Sequence, residues 1–306
     1  MAPKFSDPHV TATGQRRAKV ALQHLKTLWF NTGTLCNLTC AHCYIESSPR
    51  NDSLAYLTTE DVRTYLDEIE RENLGTEEVG LTGGEPFMNP ALMDILRLAL
   101  ERDYRVLLLT NAMRPMMKQA ERLLALRPLA QERLTLRVSL DHYSAAVHEA
   151  ERGSRTWQPA ISGLQWLYRE GFKVDVAGRY LSGESEAELR AGYQQLFTAL
   201  GLSLDASDPA QLVLFPEMDG ALEVPEITEA CWGILGKHPS EVMCASSRMV
   251  VKRKGAAKAA VVACTLLPYE AAFELGSSLK EVGGSVPLNH PHCARFCVLG
   301  GASCSA

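Results

Sequence analysis

The 306-residue sequence predicts an α/β fold of parallel strands and crossover helices, forming an open sheet or a partial barrel. Two observations carry this reading. Strand-like and helix-like stretches alternate from residue 28 to residue 215, which implies parallel strands joined by crossover helices. The stretch RVLLLT at 105–110 is apolar apart from its ends, as expected of a strand covered on both faces. The length suits two domains or one α/β barrel with an appendage. With 46% hydrophobic and 22% charged residues, the chain can bury a sizeable core.

The elements follow in order. A short β-like run at 28–32 leads directly into a group of cysteines. Thr58, Thr59 and Glu60 open a helix to about residue 71, with one of the two threonines as N-cap. A strand at 77–81 is ended by Gly83 and Gly84, and Pro90 suits the first turn of a helix to about 102. Strand 105–110, helix 115–127, strand 134–140, helix 156–170, strand 172–181, helix 185–199 and strand 211–215 complete the alternation. Beyond Pro216 the rhythm changes. Two short strands, 249–251 and 259–262, flank a turn at 252–256, with Cys244 just before the pair and Cys264 just after it. The basic run Arg248, Lys252, Arg253 and Lys254 reads as an exposed hairpin edge protected by charge. The tail, 283–306, is rich in Gly, Pro, His and Cys and has little helical pattern. The expected division is an N-terminal extension (1–25), a core (26–216) and a cysteine-rich region (217–306). That last region is so poor in apolar residues that a bound metal is expected to hold it together.

Charge narrows the function classes. Lys plus Arg number 31 and Asp plus Glu 36, a net charge of −5, which argues against phosphate-backbone binding and so against nucleic acid. No apolar run approaches the roughly 18 residues of a membrane span. The N-terminal stretch lacks the apolar centre of a secretory signal, so a cytoplasmic protein is expected. Nine cysteines, an odd number, argue for thiols that bind metal or catalyse rather than for a disulfide framework. Cys36, Cys40 and Cys43 form one group, and Cys231, Cys244, Cys264, Cys293, Cys297 and Cys304 a second, with none between them. Two metal-binding regions are the simplest reading.

Cys36, Cys40 and Cys43 have the spacing C-x3-C-x2-C. Three thiolates this close can converge on one centre, and soft sulfur selects zinc or an iron–sulfur cluster. Zinc would need a fourth ligand, from His42 or a distant residue. The spacing alone leaves both open.

The motif, placed after a first strand and followed by Tyr44, resembles the cluster motif of the radical S-adenosylmethionine (SAM) superfamily. A second likeness lies further on, where Thr82-Gly83-Gly84-Glu85-Pro86 resembles the segment that holds the methionine end of SAM. Paired glycines allow close approach of backbone to a ligand, and a carboxylate suits an ammonium group. The resemblance extends to Leu109-Thr110-Asn111 and Ser139-Leu140-Asp141, where the family contacts the ribose and amino-acid parts of SAM. Gly178-Arg179 is a looser match. All these segments fall at the C-terminal ends of consecutive predicted strands, where α/β folds place their sites. Ala112 and His42 depart from the family's usual glycine and aromatic residue.

The resemblance implies a partial (β/α)6 TIM-like barrel, a [4Fe–4S] cluster on Cys36, Cys40 and Cys43 with one iron open to SAM, and an electron donor such as flavodoxin or ferredoxin. The C-terminal cysteines resemble the auxiliary-cluster domain called SPASM or, in its shorter form, twitch. That likeness implies a second [4Fe–4S] cluster on Cys244 and Cys264 with two of Cys293, Cys297 and Cys304; four thiolates would equally suit zinc. Cys231 reads as a free thiol, His290 and His292 as lying behind the ligands or facing solvent rather than as ligands, and Arg152-Gly153 as the turn before a helix. Tyr180 and Glu184 are candidates to face a substrate. The implied reaction is a net oxidation or bond formation on a small metabolite or a peptide. The 35 residues before Cys36, too few for a separate peptide-recognition domain, favour a small molecule or a peptide presented by a partner. The competing expectation is a scaffold or electron relay whose clusters never cleave SAM.

Overall fold

The computed structural model describes residues 3–217 and 223–300. Its strands are β1 (Lys19–Val20), β2 (Thr27–Asn31), β3 (Glu78–Thr82), β4 (Arg105–Thr110), β5 (Leu134–Ser139), β6 (Lys173–Arg179), β7 (Leu212–Phe215), β8 (Ser247–Val251), β9 (Ala260–Val262), β10 (Glu274–Gly276) and β11 (Val286–Pro287). Strands β2 to β7 lie side by side in chain order and all parallel, the six-stranded partial barrel that the alternation predicts.

The helices cover this sheet. Helix α1 (Thr59–Glu72) starts at a reciprocal cap: Thr58 accepts from the Asp61 amide while Asp61 accepts from the Thr58 amide. It is followed by α2 (Leu92–Glu101), whose apolar side chains Leu92, Ile95, Leu96, Ala99 and Leu100 are buried. The helix expected at 115–127 is instead three short pieces, α3 (Arg114–Met117), α4 (Ala120–Leu124) and α5 (Arg127–Ala130). Pro128 has no N–H to return to Leu124, so a continuous helix cannot pass that point. Next comes α6 (Ala145–Arg152), which the sequence pattern did not reveal, and then α7 (Trp157–Arg169). Helix α8 (Glu186–Ala199) carries a second reciprocal cap, Ser185 with Glu188, and α9 (Cys231–Leu235) is a single short turn. Among the described residues, no helix is long and apolar enough to cross a membrane.

The sheet does not stop at residue 216. Strand β8 pairs parallel to β2, the hairpin β8–β9 continues outward antiparallel, and β10 closes the row, giving nine strands in the order β10-β9-β8-β2-β3-β4-β5-β6-β7. The cysteine-rich region is thus built directly onto the first barrel strand. Residues from the stretch 3–25 also join it. Strand β1 pairs with β11, and Arg17, fully buried, makes a short ion pair with Glu226 and donates to the Val10 and Leu288 carbonyls.

The expected exposed edge at the hairpin needs correction. Lys252, Arg253 and Lys254 do reach the surface, each paired with a carboxylate: Asp61, Glu274 and Asp52 respectively. Arg248 points inward and is wholly buried. Arg248 lies within β8, all five residues of which are buried, whereas Lys252 to Lys254 follow its end, so the run never shared one surface.

Candidate active site

Three features bring the first cysteines to the barrel mouth. Strand β2 ends at Asn31, and Thr32 to Leu35 carry the chain across its C-terminal end. The loop then returns upon itself, with the Cys36 amide donating to the Ser48 carbonyl at 3.1 Å. Backbone amides turn towards two of the sulfurs: Leu38 N–H lies 3.4 Å from Cys36 Sγ, and Ser47 N–H lies 3.3 Å from Cys43 Sγ. The C-terminal region braces the same loop, because Tyr269 donates to the Ile45 carbonyl at 2.8 Å.

Cys36, Cys40 and Cys43 line one cavity of about 190 Å³. Gly83, Gly84 and Pro86 from beyond β3, Thr110 and Asn111 at and just past the end of β4, Ser139 and Asp141 at and just past the end of β5, and Arg179 at the end of β6 share its wall. The strand-end segments singled out in the sequence therefore meet in one place. Burial pushes the Cys36 thiol up to about 12 and the Cys40 thiol up to about 11. Such thiols are neutral in the metal-free protein, and loading a metal must displace their protons. The donor set, three soft sulfurs on one wall with polar groups opposite, fits an iron–sulfur cluster with room for a polar ligand.

The paired glycines also have a role within the chain itself. A Cβ on Gly84 would lie 2.3 Å from the Leu35 carbonyl oxygen, and one on Gly83 would lie 2.5 Å from that of Gly33. What approaches them is the backbone leading into the cysteines. Gly84 N–H donates to Gly33 O at 2.8 Å, and Glu85 N–H donates to Leu35 O at 3.1 Å, so the two loops are laced together.

Glu85 lies behind the cavity wall, 2% exposed. Its carboxylate accepts from Thr110 Oγ1 at 2.9 Å, from the Asn111 amide at 2.8 Å and from the Phe87 amide at 3.1 Å. Burial outweighs these three donors and raises its pKa to about 7. The group thus favours stability below its ordinary pKa near 4.5, and that contribution is lost as pH rises through about 7. Glu85→Gln turns an amide N–H₂ towards one of these donors. It should loosen the β4 end, lowering the melting temperature, and flatten the stability change between pH 4.5 and 7. Melting curves across that range check both.

Sequence reasoning missed the helix that closes this mouth. Arg152, at the end of α6, lines the cavity and forms a two-pronged ion pair with Asp141, at 2.7 and 2.9 Å. Its neighbour Glu151 accepts from the His42 amide at 2.9 Å and from Arg179 at 2.7 Å, and it contacts His42 Nδ1 at 2.7 Å. Arg179 also donates to Glu217 at 3.0 Å. His42 therefore anchors the cysteine loop to α6 and β6. Tyr180 and Glu184 lie outside the cavity. Glu184 accepts from Tyr143 at 2.5 Å and contacts His142 at 2.9 Å.

A second cavity is lined by Cys244, Cys264, Cys293 and Cys297, with His292 and the apolar Leu266, Leu267, Phe273, Val286 and Leu288. Cys293 and Cys297 sit on a π-helical turn, Cys293–Leu299, where the tail was expected to be irregular. Such turns are rare and frequent at functional sites. Burial pushes the Cys244 thiol up to about 11 and Cys293 up to about 12. Cys304 lies outside the described residues. Cys231 stands apart from both cavities, its sulfur facing Thr228 at 3.3 Å. Among the described residues, no three Cys, His, Asp or Glu side chains converge tightly enough to hold a single metal ion. Leu266 lines both cavities, and Phe296, from the π-helical turn, stacks on Phe215 in the wall of the first.

A parallel α/β barrel with three thiols and four polar strand ends at one mouth defines a cofactor-dependent enzyme of the iron–sulfur class. Comparison with known proteins makes this specific: residues 30–195 match the radical SAM superfamily, and the chain belongs to it. Its cofactors are accordingly a [4Fe–4S] cluster and S-adenosylmethionine. Among curated relatives, it is 31% identical to the mycofactocin maturase MftC of Mycobacterium tuberculosis, over 45% of this chain and 33% of that protein. It is 33% identical to the antilisterial bacteriocin subtilosin biosynthesis protein AlbA of Bacillus subtilis, over 46% of this chain and 30% of AlbA. The chain spans about a third of the length of these relatives. Its fold resembles that of Streptococcus suis SuiB bound to S-adenosylmethionine (TM-score 0.60, 13% identity, 83% of this chain and 63% of SuiB). It also resembles anSMEcpe with bound AdoMet (TM-score 0.61, 16% identity, 84% of this chain and 76% of that one).

Proposed function

We propose that the chain cleaves SAM reductively and uses the resulting radical to oxidise, or to form a new bond in, a peptide substrate, with a second cluster beside the site. The observation that carries this reading is the gathering of Cys36, Cys40 and Cys43 with the ends of β3, β4, β5 and β6 around one cavity. In this reading the three cysteines ligate the first cluster. Gly83, Gly84 and Pro86 present backbone to the amino-acid end of SAM, and Thr110, Asn111, Ser139, Asp141 and Arg179 orient the rest. Glu85 acts as a strut behind them.

When bound, the cluster and SAM together supply a 5′-deoxyadenosyl radical that takes a hydrogen atom from an unreactive carbon. The chain's own residues hold and shield. The Asp141–Arg152 pair fixes one side of the mouth, the His42–Glu151–Arg179 network holds the cysteine loop, and Phe215, Phe296 and Leu266 keep water from the far wall. Cys244, Cys264, Cys293 and Cys297 are proposed to ligate the auxiliary [4Fe–4S] cluster. That cavity lies across Leu266 from the first, so a cluster held there would offer a nearby acceptor for an electron from a substrate radical. The substrate assignment draws support from SuiB, solved with its precursor peptide SuiA, and from anSMEcpe, solved with peptides. A flavodoxin or ferredoxin is the proposed electron donor.

Metal analysis after anaerobic reconstitution tests the two-cluster part. About eight irons per chain are expected, falling to about four in Cys36/Cys40/Cys43→Ala and to about four in Cys244/Cys264/Cys293/Cys297→Ala. Four irons in the wild type, with zinc at the second site, would remove the auxiliary cluster and with it the argument for oxidation.

A further inference from the structure

We infer that Arg248 is the counter-cation of an anionic metal centre in the second cavity, and that it sets how tightly this centre is held and how easily it is reduced. The inference rests on the auxiliary-cluster reading above, and the experiment below separates the two.

Arg248 is 0% exposed, in β8 four residues after Cys244. Its guanidinium donates to three backbone carbonyls: Cys244 O at 2.5 Å, Ser247 O at 2.8 Å and Val282 O at 3.2 Å. Its Nε has no partner, and among the described residues no carboxylate pairs with it. The chain's other buried arginines are treated differently: Arg17 meets Glu226, and Arg137 meets Asp175 at 2.7 Å.

An arginine stays charged at all ordinary pH values, and an uncompensated buried cation is strongly destabilising. Carbonyl dipoles offset only part of that. The Cys244 carbonyl that the guanidinium caps belongs to a residue whose thiol lines the second cavity, and Cys264, which lines it too, follows the hairpin that bears Arg248. As neutral thiols they offer the guanidinium nothing, whereas as thiolates around a metal they bring net negative charge to the cavity. Four thiolates around a zinc ion or a [4Fe–4S] core leave an anionic centre in either case. A fixed cation beside such a centre stabilises it against loss and eases the addition of an electron, the kind of tuning that charge near a cluster exerts.

The test compares Arg248→Lys, which keeps the charge with fewer hydrogen bonds, with Arg248→Gln, which keeps hydrogen bonding without charge. Both are made in the Cys36/Cys40/Cys43→Ala background, so that only the C-terminal site can hold iron. Iron per chain, its rate of loss to a chelator and the midpoint of an EPR-monitored redox titration are read. Arg248→Lys should retain iron and keep its midpoint near that of the background. Arg248→Gln should lose iron about tenfold faster or more and titrate at a more negative potential. If the two variants behave alike, or Gln preserves both properties better than Lys, Arg248 is a cap on carbonyls and the inference is overturned while the cluster stands. If the background variant itself holds no iron, the auxiliary-cluster reading falls, and the inference with it.

Discussion

Gly84→Ala should strip the first site of iron and SAM while leaving the second site loaded. The added methyl would sit 2.3 Å from Leu35 O, 2.6 Å from Leu35 C and 2.7 Å from Thr34 O, all backbone atoms that cannot rotate away. Relief requires the loop after β3 to part from the loop that delivers Cys36, breaking the Gly84–Gly33 and Glu85–Leu35 hydrogen bonds. Overpacking of this kind costs about 1–3 kcal/mol or more, and it falls on the lacing that aligns the two walls of the cavity. Iron should drop from about eight to about four per chain, with a lowered melting temperature. Full iron content and an unchanged melting curve would mean that the two loops tolerate separation.

Arg152→Met should be the most damaging single change at the mouth that leaves every sulfur in place. It strands Asp141, a carboxylate that is 3% exposed, without its two-pronged partner. Breaking a buried pair by removing one member costs about 3–5 kcal/mol. The pH dependence carries the sign. Burial pushes Asp141 up, but the charge and hydrogen bonds of Arg152 outweigh it and hold the carboxyl below its ordinary value. That pair contributes stability at every pH above the ordinary carboxyl range and loses it as pH falls through the folded pKa. In the variant burial is opposed only by the smaller effects of Arg179 and His148, so the carboxyl shifts upward and the deficit relative to wild type is largest near pH 7 and shrinks towards pH 4. Denaturant unfolding at both pH values measures this. A deficit independent of pH would show that Arg152 acts through packing alone.

Much of the site was legible in the sequence because its parts lie at strand ends. Period and glycine punctuation locate those ends to within a residue or two, and a parallel sheet then gathers them. Thus Thr82, Thr110, Ser139 and Arg179, each the last or nearly the last residue of an apolar run, arrive together. What stayed hidden depends on contacts between distant segments. Helix α6 is too short and too polar for its period to be read, so Glu151 and Arg152 carry no signal of their own, although Arg152-Gly153 reads as a turn. The reason for the glycine pair, approach of the 33–35 backbone, exists only once β2 and β3 are adjacent. Arg248 looked like one of four exposed basic residues because a sequence cannot tell which face of an edge hairpin is covered. Continuation of the sheet from β2 into β8 was likewise invisible, since nothing in either strand specifies a partner more than two hundred residues away.

The central claim is that this cavity splits SAM. Its most direct test is formation of 5′-deoxyadenosine by reconstituted protein given SAM and dithionite without oxygen. The wild type should release the nucleoside, and Cys36/Cys40/Cys43→Ala should release none even with its C-terminal iron intact. A wild-type protein with its first cluster fully loaded and SAM bound, yet forming no nucleoside, would contradict the account and favour a scaffold or electron relay.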